Sequence, residues 1–373
     1  MERENCKGEL LPWELITEIS LRLPVKSLVR FKCVCKSWFS LISDPNFAKS
    51  HFELAAKVTE RIVLLAPLAL EFISIDFKAS LYDDSASVAL KLDTLLYPRY
   101  SISILGSCRG FLLLKSYDSL WVWNPSTGVH KQVPFSPVFN LSSMFSTFLF
   151  GFGYDPSKDD YLVVLASYNP NSIDFPTRVE CFSIRANEWK EIESVHLPYM
   201  SCFDYIEVGS LLNDAIHWLA FSFDGLRNVI VAFDLRERRF TEVPWPIDFE
   251  CDFNFCDLRV FREFLSLCVA KCSRPTEIWI MEEYKVQPSW TKIIHVSIDD
   301  IPTRYFSLIC STESGDIVGT DGSTGLVKCN DHGQLLEHQS YCNGPCGSQP
   351  QVAMYTESLL SLPYGSERHE EDD

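Results

Sequence analysis

LWVWNPSTGVHKQV, residues 120–133, reads as an apolar strand, a turn and a second strand. Aromatic and β-branched residues suit a pleated, half-buried surface, and the Asn-Pro-Ser-Thr-Gly run that follows is turn chemistry. The same succession recurs at VECFSIRANEWKEI (179–192), IVAFDLRERRFTEV (230–243), EIWIMEEYKVQPSWTKI (277–293) and GLVKCNDHGQLLE (325–337), with a weaker match at EFISIDF (71–77). Anchored on Ile75, Trp123, Phe182, Phe233, Trp279 and Val327, the repeats lie 48, 59, 51, 46 and 48 residues apart. A period near 50 with several strands per unit is that of propeller blades. One four-stranded unit cannot bury both of its faces, so units stack radially and close into a ring. Six units fill residues 62–363, and QVAMYTESLLSLP (351–363), a strand with no turn partner of its own, is the expected closing element.

The first fifty residues have a different texture. In ELLPWELITEISLRL the apolar residues Leu11, Leu15, Ile16, Ile19 and Leu23 lie on one face of a helix. Pro12 fits its first turn and Pro24 ends it. A second period starts at Ser27, a plausible N-cap, and runs through Leu28, Phe31, Val34, Cys35, Trp38, Leu41 and Ile42. Asp44-Pro45 is a further stop, followed by a short helix to Phe52. The expected organisation is therefore a three-helix all-α domain over 9–52, a linker over 53–61 and an all-β, six-bladed propeller over 62–363. Residues 364–373 are expected to be an acidic, disordered tail.

Composition excludes several functions. With 33 Lys and Arg against 50 Asp and Glu the net charge is −17, which repels a phosphate backbone, so no nucleic-acid partner is expected. The longest apolar run, Ile62 to Leu70, is nine residues and contains Pro67; a bilayer span takes about 20. The N-terminus has acids threaded through its apolar residues and no signal-peptide core. A cytoplasmic or nuclear setting follows, with the 14 cysteines reduced and many of them acting as small core residues. The close pairs Cys33/Cys35, Cys268/Cys272 and Cys342/Cys346 do not have the layout of a structural zinc site. On a continuous helix Cys33 and Cys35 point apart by about 200°. No cofactor and no metal are expected. The chain has no GxSxG, HExxH or P-loop motif, and Gly151-Phe152-Gly153 reads as a blade turn.

Binding is what remains. Residues 22–36 carry Arg22, Lys26, Arg30, Lys32 and Lys36 and no acid. A helical unit this small buries little core alone, and its two apolar stripes suggest one for itself and one for an acidic partner, whose docking the basic surround would speed.

LLPWELITEISLRLPVKSLVRFKCVCKSWFSLISDPNFAKSHF (10–52) resembles the plant F-box over its whole length: the opening Leu-Pro, LPVKSL, RFKCVCKSW and LISDPNF are all present. SCRGFLLL (107–114), WNPSTG (123–128), GFGYDPSKDDYLVV (151–164) and YTESLLSL (355–362) resemble the F-box-associated, kelch-like region of the same families. The paired glycines of well-preserved kelch repeats are absent. The resemblance implies a non-catalytic substrate receptor of an SCF-type ubiquitin ligase. The F-box would dock an acidic SKP-family adaptor, and through it a cullin and a RING subunit. The propeller would hold an unidentified protein substrate, with catalysis by proximity. The adaptor contact it implies falls on Leu11, Pro12, Leu15, Ile19, Leu23, Pro24, Val25, Leu28, Cys35 and Trp38. Leu15 and Ile19, like Phe31, Val34 and Leu41, could equally pack inside the F-box, whereas Pro12, Pro24 and Val25, at helix starts and loops, are the strongest of these, because a core role is less natural there. The connections 134–147 and 166–178 are candidates for substrate specificity, with an inert surface loop as the competing reading of each. Two alternatives stand beside this reading: a scaffold or competitor that docks the adaptor without delivering substrate, and a propeller enzyme with an axial site.

Overall fold

The computed structural model describes residues 12–55, 59–66, 71–90, 102–116, 119–136, 147–168, 177–192, 199–201, 206–222, 225–247, 249, 256–270, 274–323, 325–341 and 351–363. Four helices come first: α1 (Trp13–Ser20), α2 (Val25–Phe31), α3 (Lys36–Ile42) and α4 (Pro45–Ala55). Three were expected. The second period divides in two, because Cys33 and Val34 make i→i−3 bonds to Arg30 and Phe31 and Cys35 is extended (φ −162°, ψ 167°). Cys-Val-Cys is a run of low helix propensity. The reversal also returns Trp38 onto Phe31, edge to face at 5.2 Å.

Pro24, not Ser27, caps α2, and Pro12 precedes α1 as its cap (φ −51°, ψ 141°). α4 has a capping side chain. Asp44 Oδ1 accepts from the N–H groups of Asn46 and Phe47 at 2.8 and 3.0 Å, with Pro45 at the first helical position. Buried His51 ties α4 back to the α1–α2 break, its Nε2 lying 2.8 Å from the Leu23 carbonyl oxygen.

The described strands build a ring of six blades. β1 (Glu60–Ala66), β2 (Glu71–Ile75) and β3 (Ser87–Leu90) open the first blade. The second is β4 (Ser103–Cys108), β5 (Phe111–Lys115), β6 (Leu120–Trp123) and β7 (His130–Val133). The third contains β8 (Thr147–Asp155), β9 (Asp160–Tyr168), β10 (Thr177–Ser183) and β11 (Glu188–Glu191). Three short strands follow, β12 (Tyr199–Ser201), β13 (Ile206–Val208) and β14 (Ser210–Leu212), then β15 (Ala215–Ser222), β16 (Arg227–Asp234) and β17 (Arg239–Val243). The fifth blade is β18 (Cys256–Phe261), β19 (Phe264–Val269), β20 (Thr276–Met281) and β21 (Trp290–Val296). The sixth is β22 (Ser307–Ser311), β23 (Ile317–Thr320), β24 (Gly325–Cys329) and β25 (Leu335–Ser340). β26 (Gln351–Thr356) then returns as the inner strand of the first blade, antiparallel to β1 with Glu60 opposite Thr356.

All six repeat anchors fall on the third strand of their blades: Ile75 on β2, Trp123 on β6, Phe182 on β10, Phe233 on β16, Trp279 on β20 and Val327 on β24. Alternation along a strand explains how one strand serves two interfaces. On β1, Ile62 and Leu64 pack towards Cys310 and Val318 of the sixth blade, whereas Val63 and Leu65 pack towards Leu112 and Trp123 of the second. Each of the six apolar clusters spans a pair of neighbouring blades in this way.

The fourth blade departs from the repeat. Its inner position is shared by β12 and β14, both antiparallel to β15, while β13 pairs in parallel with β8 of the third blade. Close approach at Gly151 makes room, since a Cβ there would lie 2.7 Å from Ile216 and 2.8 Å from the Trp218 ring. Trp218 Nε1 donates to the Phe150 carbonyl at 2.7 Å, fastening the same seam.

Candidate functional site

The helical unit is seated on one end of the ring. The first-strand hairpins gather there, and three of them turn on two residues of positive φ: Arg109-Gly110, Asn213-Asp214 and Arg262-Glu263, the geometry of a type I′ hairpin turn. Arg109 reaches across the seam. Its guanidinium lies 4.9 Å from the centroid of Phe52 on α4 and 4.3 Å from that of Tyr154 on β8. The segment after β26 fills the space alongside: Leu359, Leu360 and Leu362 share one apolar cluster with Leu21, Val25, Leu28, Ile42 and Phe47. Asn124, fully buried in the β6–β7 turn, holds this segment by donating to two of its carbonyls, and Ser126 Oγ accepts from the Ser358 N–H. A Cβ on Gly110 (φ 85°) would sit 2.2 Å from the Ser358 Cβ. SCRG, WNPSTG and YTESLLSL, far apart in sequence, are therefore parts of one clamp.

On the outer side of the helical unit, apolar side chains face solvent. Leu15 and Ile19, four residues apart and so on one side of α1, are 49% and 50% exposed. Trp13 is 44% exposed, with its ring edge-on to Trp38 at 6.4 Å. Phe39 on α3 and Leu54 on α4 are exposed as well. Of the residues expected at the docking face, Pro12, Leu15, Ile19, Pro24 and Cys35 are exposed, and Leu23 and Trp38 are half-buried. Leu11 lies outside the described residues. Val25 and Leu28 are interior, at 1% and 0% exposure. This corrects the preference for Val25: Pro24 takes the capping position, so Val25 opens α2 one turn before Leu28 and both pack inward. Trp13, Phe39 and Leu54 were not in the expected set. Phe39 sits off the apolar period of its helix, and that displacement is itself the readable signal.

Cys33 and Cys35 flank the α2–α3 break and do not share a continuous helix, so they do not diverge by the roughly 200° expected of one. Both are exposed, and with Lys32, Lys36, Phe39 and Ser40 they line a surface hollow of about 480 Å³. Six other cysteines (108, 181, 256, 268, 310 and 329) are buried thiols, and burial pushes those of Cys108 and Cys268 up to about 12. Cys272, Cys342 and Cys346 lie outside the described residues. Among the described residues, no three His, Cys, Asp or Glu side chains gather as metal ligands do.

The propeller axis holds a cavity of about 860 Å³ lined by inner-strand residues, among them Ser107, Ser210, Asp257 and Arg259. Asp257 accepts from Ser307 Oγ at 2.6 Å and lies 3.8 Å from Arg259, so its carboxylate is already engaged by protein groups. Connections between second and third strands, and from one blade to the next, leave the ring at the end away from the helices. The flanks of 134–147 and 166–178 are at that end, although 137–146 and 169–176 lie outside the described residues. No described helix is long and apolar enough to cross a membrane.

The F-box domain family matches residues 9–50, and the family described as the F-box associated beta propeller domain matches residues 62–362. The chain is an F-box protein. Its F-box is the four-helix unit and its propeller the six-bladed ring. Among curated proteins it is similar to F-box/kelch-repeat protein At3g23880 of Arabidopsis thaliana, 31% identical over 79% of this chain and 81% of that one. F-box protein CPR1 of Arabidopsis thaliana is also 31% identical, over 77% and 73%. Among solved structures, TolB from Acinetobacter baumannii aligns with a TM-score of 0.44 at 9% identity, covering 83% of this chain and 71% of that chain.

Proposed function

We propose that this F-box protein is the substrate-receptor subunit of an SCF-type ubiquitin ligase, acting in the cytoplasm, the nucleus or both. The observation that carries the reading is the exposed apolar row of α1, Leu15 and Ile19 with Trp13 beside them, on an F-box whose other apolar side is already committed to the propeller. Such a row, contiguous on one helix, is the kind of apolar surface that fits a docking site. Pro12, Leu15, Ile19, Pro24 and Trp38 form its centre, with Leu11 adjoining in sequence, Leu23 and Cys35 at its margin, and Val25 and Leu28 as the packing that shapes it. The partner is an SKP-family adaptor, linked in turn to a cullin and a RING subunit.

The propeller recruits a protein substrate on the end opposite the F-box, where the blade-to-blade connections emerge. The chain supplies no reacting group. It works by holding substrate and charged enzyme in one assembly, which turns an encounter in solution into a local one.

The test is co-expression with an SKP adaptor. The wild-type chain co-elutes with it at one to one. The double variant Leu15→Glu/Ile19→Glu loses the complex while keeping the wild-type melting temperature, because neither side chain contributes to the core. Full retention of the adaptor by a folded double variant overturns the assignment. Reconstituted ubiquitination of a protein captured on the propeller then separates a receptor from a scaffold that docks without delivering.

A further inference from the structure

The charge of the chain is unevenly placed. Residues 12–55 contain six Lys and Arg and four Asp and Glu, against 33 and 50 in the whole chain, so the acidic excess lies outside the F-box. Lys26 and Arg30, one helical turn apart on α2, are exposed, as is Lys36 at the start of α3. None of the three forms an ion pair with a described residue.

The C-terminal segment is delivered to the buried side of this same helix. Leu359, Leu360 and Leu362 pack in the cluster that holds Val25 and Leu28, the buried neighbours of Lys26 and Arg30 on α2. At Glu357 burial raises the carboxyl pKa, Arg61 lowers it, Asp76 raises it and Lys26, the weakest of these, lowers it, which puts the Lys26 charge within electrostatic range. Pro363 is followed by YGSERHEEDD (364–373), which has five carboxylates against one arginine and one histidine. Ten residues reach at most about 33–36 Å, ample to come back over α2.

We propose that the acidic segment 366–373 is an intramolecular ligand of the basic face of α2, docking on Lys26 and Arg30 and competing there with an acidic partner. The competition half rests on the reading that the F-box binds such an adaptor; the docking half does not. A short tether sets an effective concentration near the millimolar range, so a contact that is weak in isolation is still substantially occupied. Ion pairing at an exposed face is screened by salt, with a Debye length of about 10 Å at 0.1 M and about 3 Å at 1 M.

The first experiment uses the full chain alone. A zero-length carbodiimide joins carboxylates to amines in direct contact, and peptide mass spectrometry maps the product. The expected product links Lys26 or Lys36 to a carboxylate among residues 367–373. It should disappear at 1 M salt and in a variant with Glu367, Glu370, Glu371, Asp372 and Asp373 changed to their amides. Absence of that link in the wild-type chain at low salt overturns the proposal.

The second compares adaptor affinity of the full chain with that of a chain ending at Pro363, both checked for equal melting temperature. The shortened chain should bind about 2- to 10-fold more tightly at about 50 mM salt, with the difference gone at 1 M. Equal affinities at low salt overturn the competition even if the cross-link forms. If neither form binds adaptor while the cross-link is present, the ligase reading fails and the docking of 366–373 stands.

Discussion

The side-chain amide of Asn124 donates to the carbonyls of both Ser358 and Leu360, at 3.0 and 3.2 Å, across more than 230 residues of sequence. It joins a turn of the second blade to the segment on which the F-box is seated. Replacing it with leucine leaves two buried carbonyls without donors, at a cost of about 1–3 kcal/mol each before relaxation. Asn124→Leu should unfold about 2–4 kcal/mol less stably in urea. Hydrogen exchange should rise first in residues 357–362 and in α2, ahead of the sixth blade.

Arg109 makes a separate link, from the β4–β5 turn to α4. Arg109→Ala removes a cation from between two rings, a loss of about 1–2 kcal/mol. Arg109→Lys should recover only part of it, because an ammonium does not stack as a planar guanidinium does. The distinguishing measurement is local: amide protection falls in α4 while β18 to β25 keep theirs.

His217 gives the fold a defined acid sensitivity. It is fully buried, with Nε2 2.7 Å from the Tyr284 hydroxyl, and burial pushes its pKa down to about 4 from the ordinary 6.5. The unfolded chain therefore binds a proton below pH 6.5 that the folded chain refuses until about pH 4. Stability from this group is complete above 6.5 and is lost as pH falls through that window, amounting to about 3 kcal/mol. Urea midpoints measured between pH 7 and 4 should fall less steeply in His217→Gln than in the wild-type chain.

Leu28 and Leu15 are both apolar helix residues of the F-box, yet opposite outcomes are expected. Leu28→Ala opens a cavity in a fully buried site and should cost about 2–5 kcal/mol. Leu15→Ala, at a half-exposed site, should change stability by less than about 0.5 kcal/mol. Chemical denaturation of the two variants side by side separates packing from docking residues.

The blade count was legible because third strands carry one large apolar residue followed by turn chemistry, and both survive as sequence patterns. The closing strand was legible for a related reason, an apolar segment with no hairpin partner. The break between α2 and α3 was not, since Phe31, Cys35 and Trp38 keep helical spacing across it. Nor was the divided inner strand of the fourth blade, which depends on where glycines allow two blades to approach. At the docking face periodicity marked apolar positions but not their direction. Val25 and Leu15 look equivalent in sequence, and what separates them is that Val25 packs in a cluster with Leu21, Ile42, Phe47 and the C-terminal leucines.

Closure of the first blade by β26 also bears on biosynthesis. The ribosome makes the F-box and β1 first, and the partner of β1 emerges last. At about 5–20 residues per second the interval is on the order of tens of seconds, during which β1 offers an unpaired edge and two bare apolar rows. A nonsense codon before Gln351 leaves that edge open and deprives the F-box of Leu359 and Leu360. Such a transcript should yield an incompletely folded chain, not a shortened receptor, and a screen of truncation alleles should find no C-terminal boundary within the propeller that preserves a free-standing product.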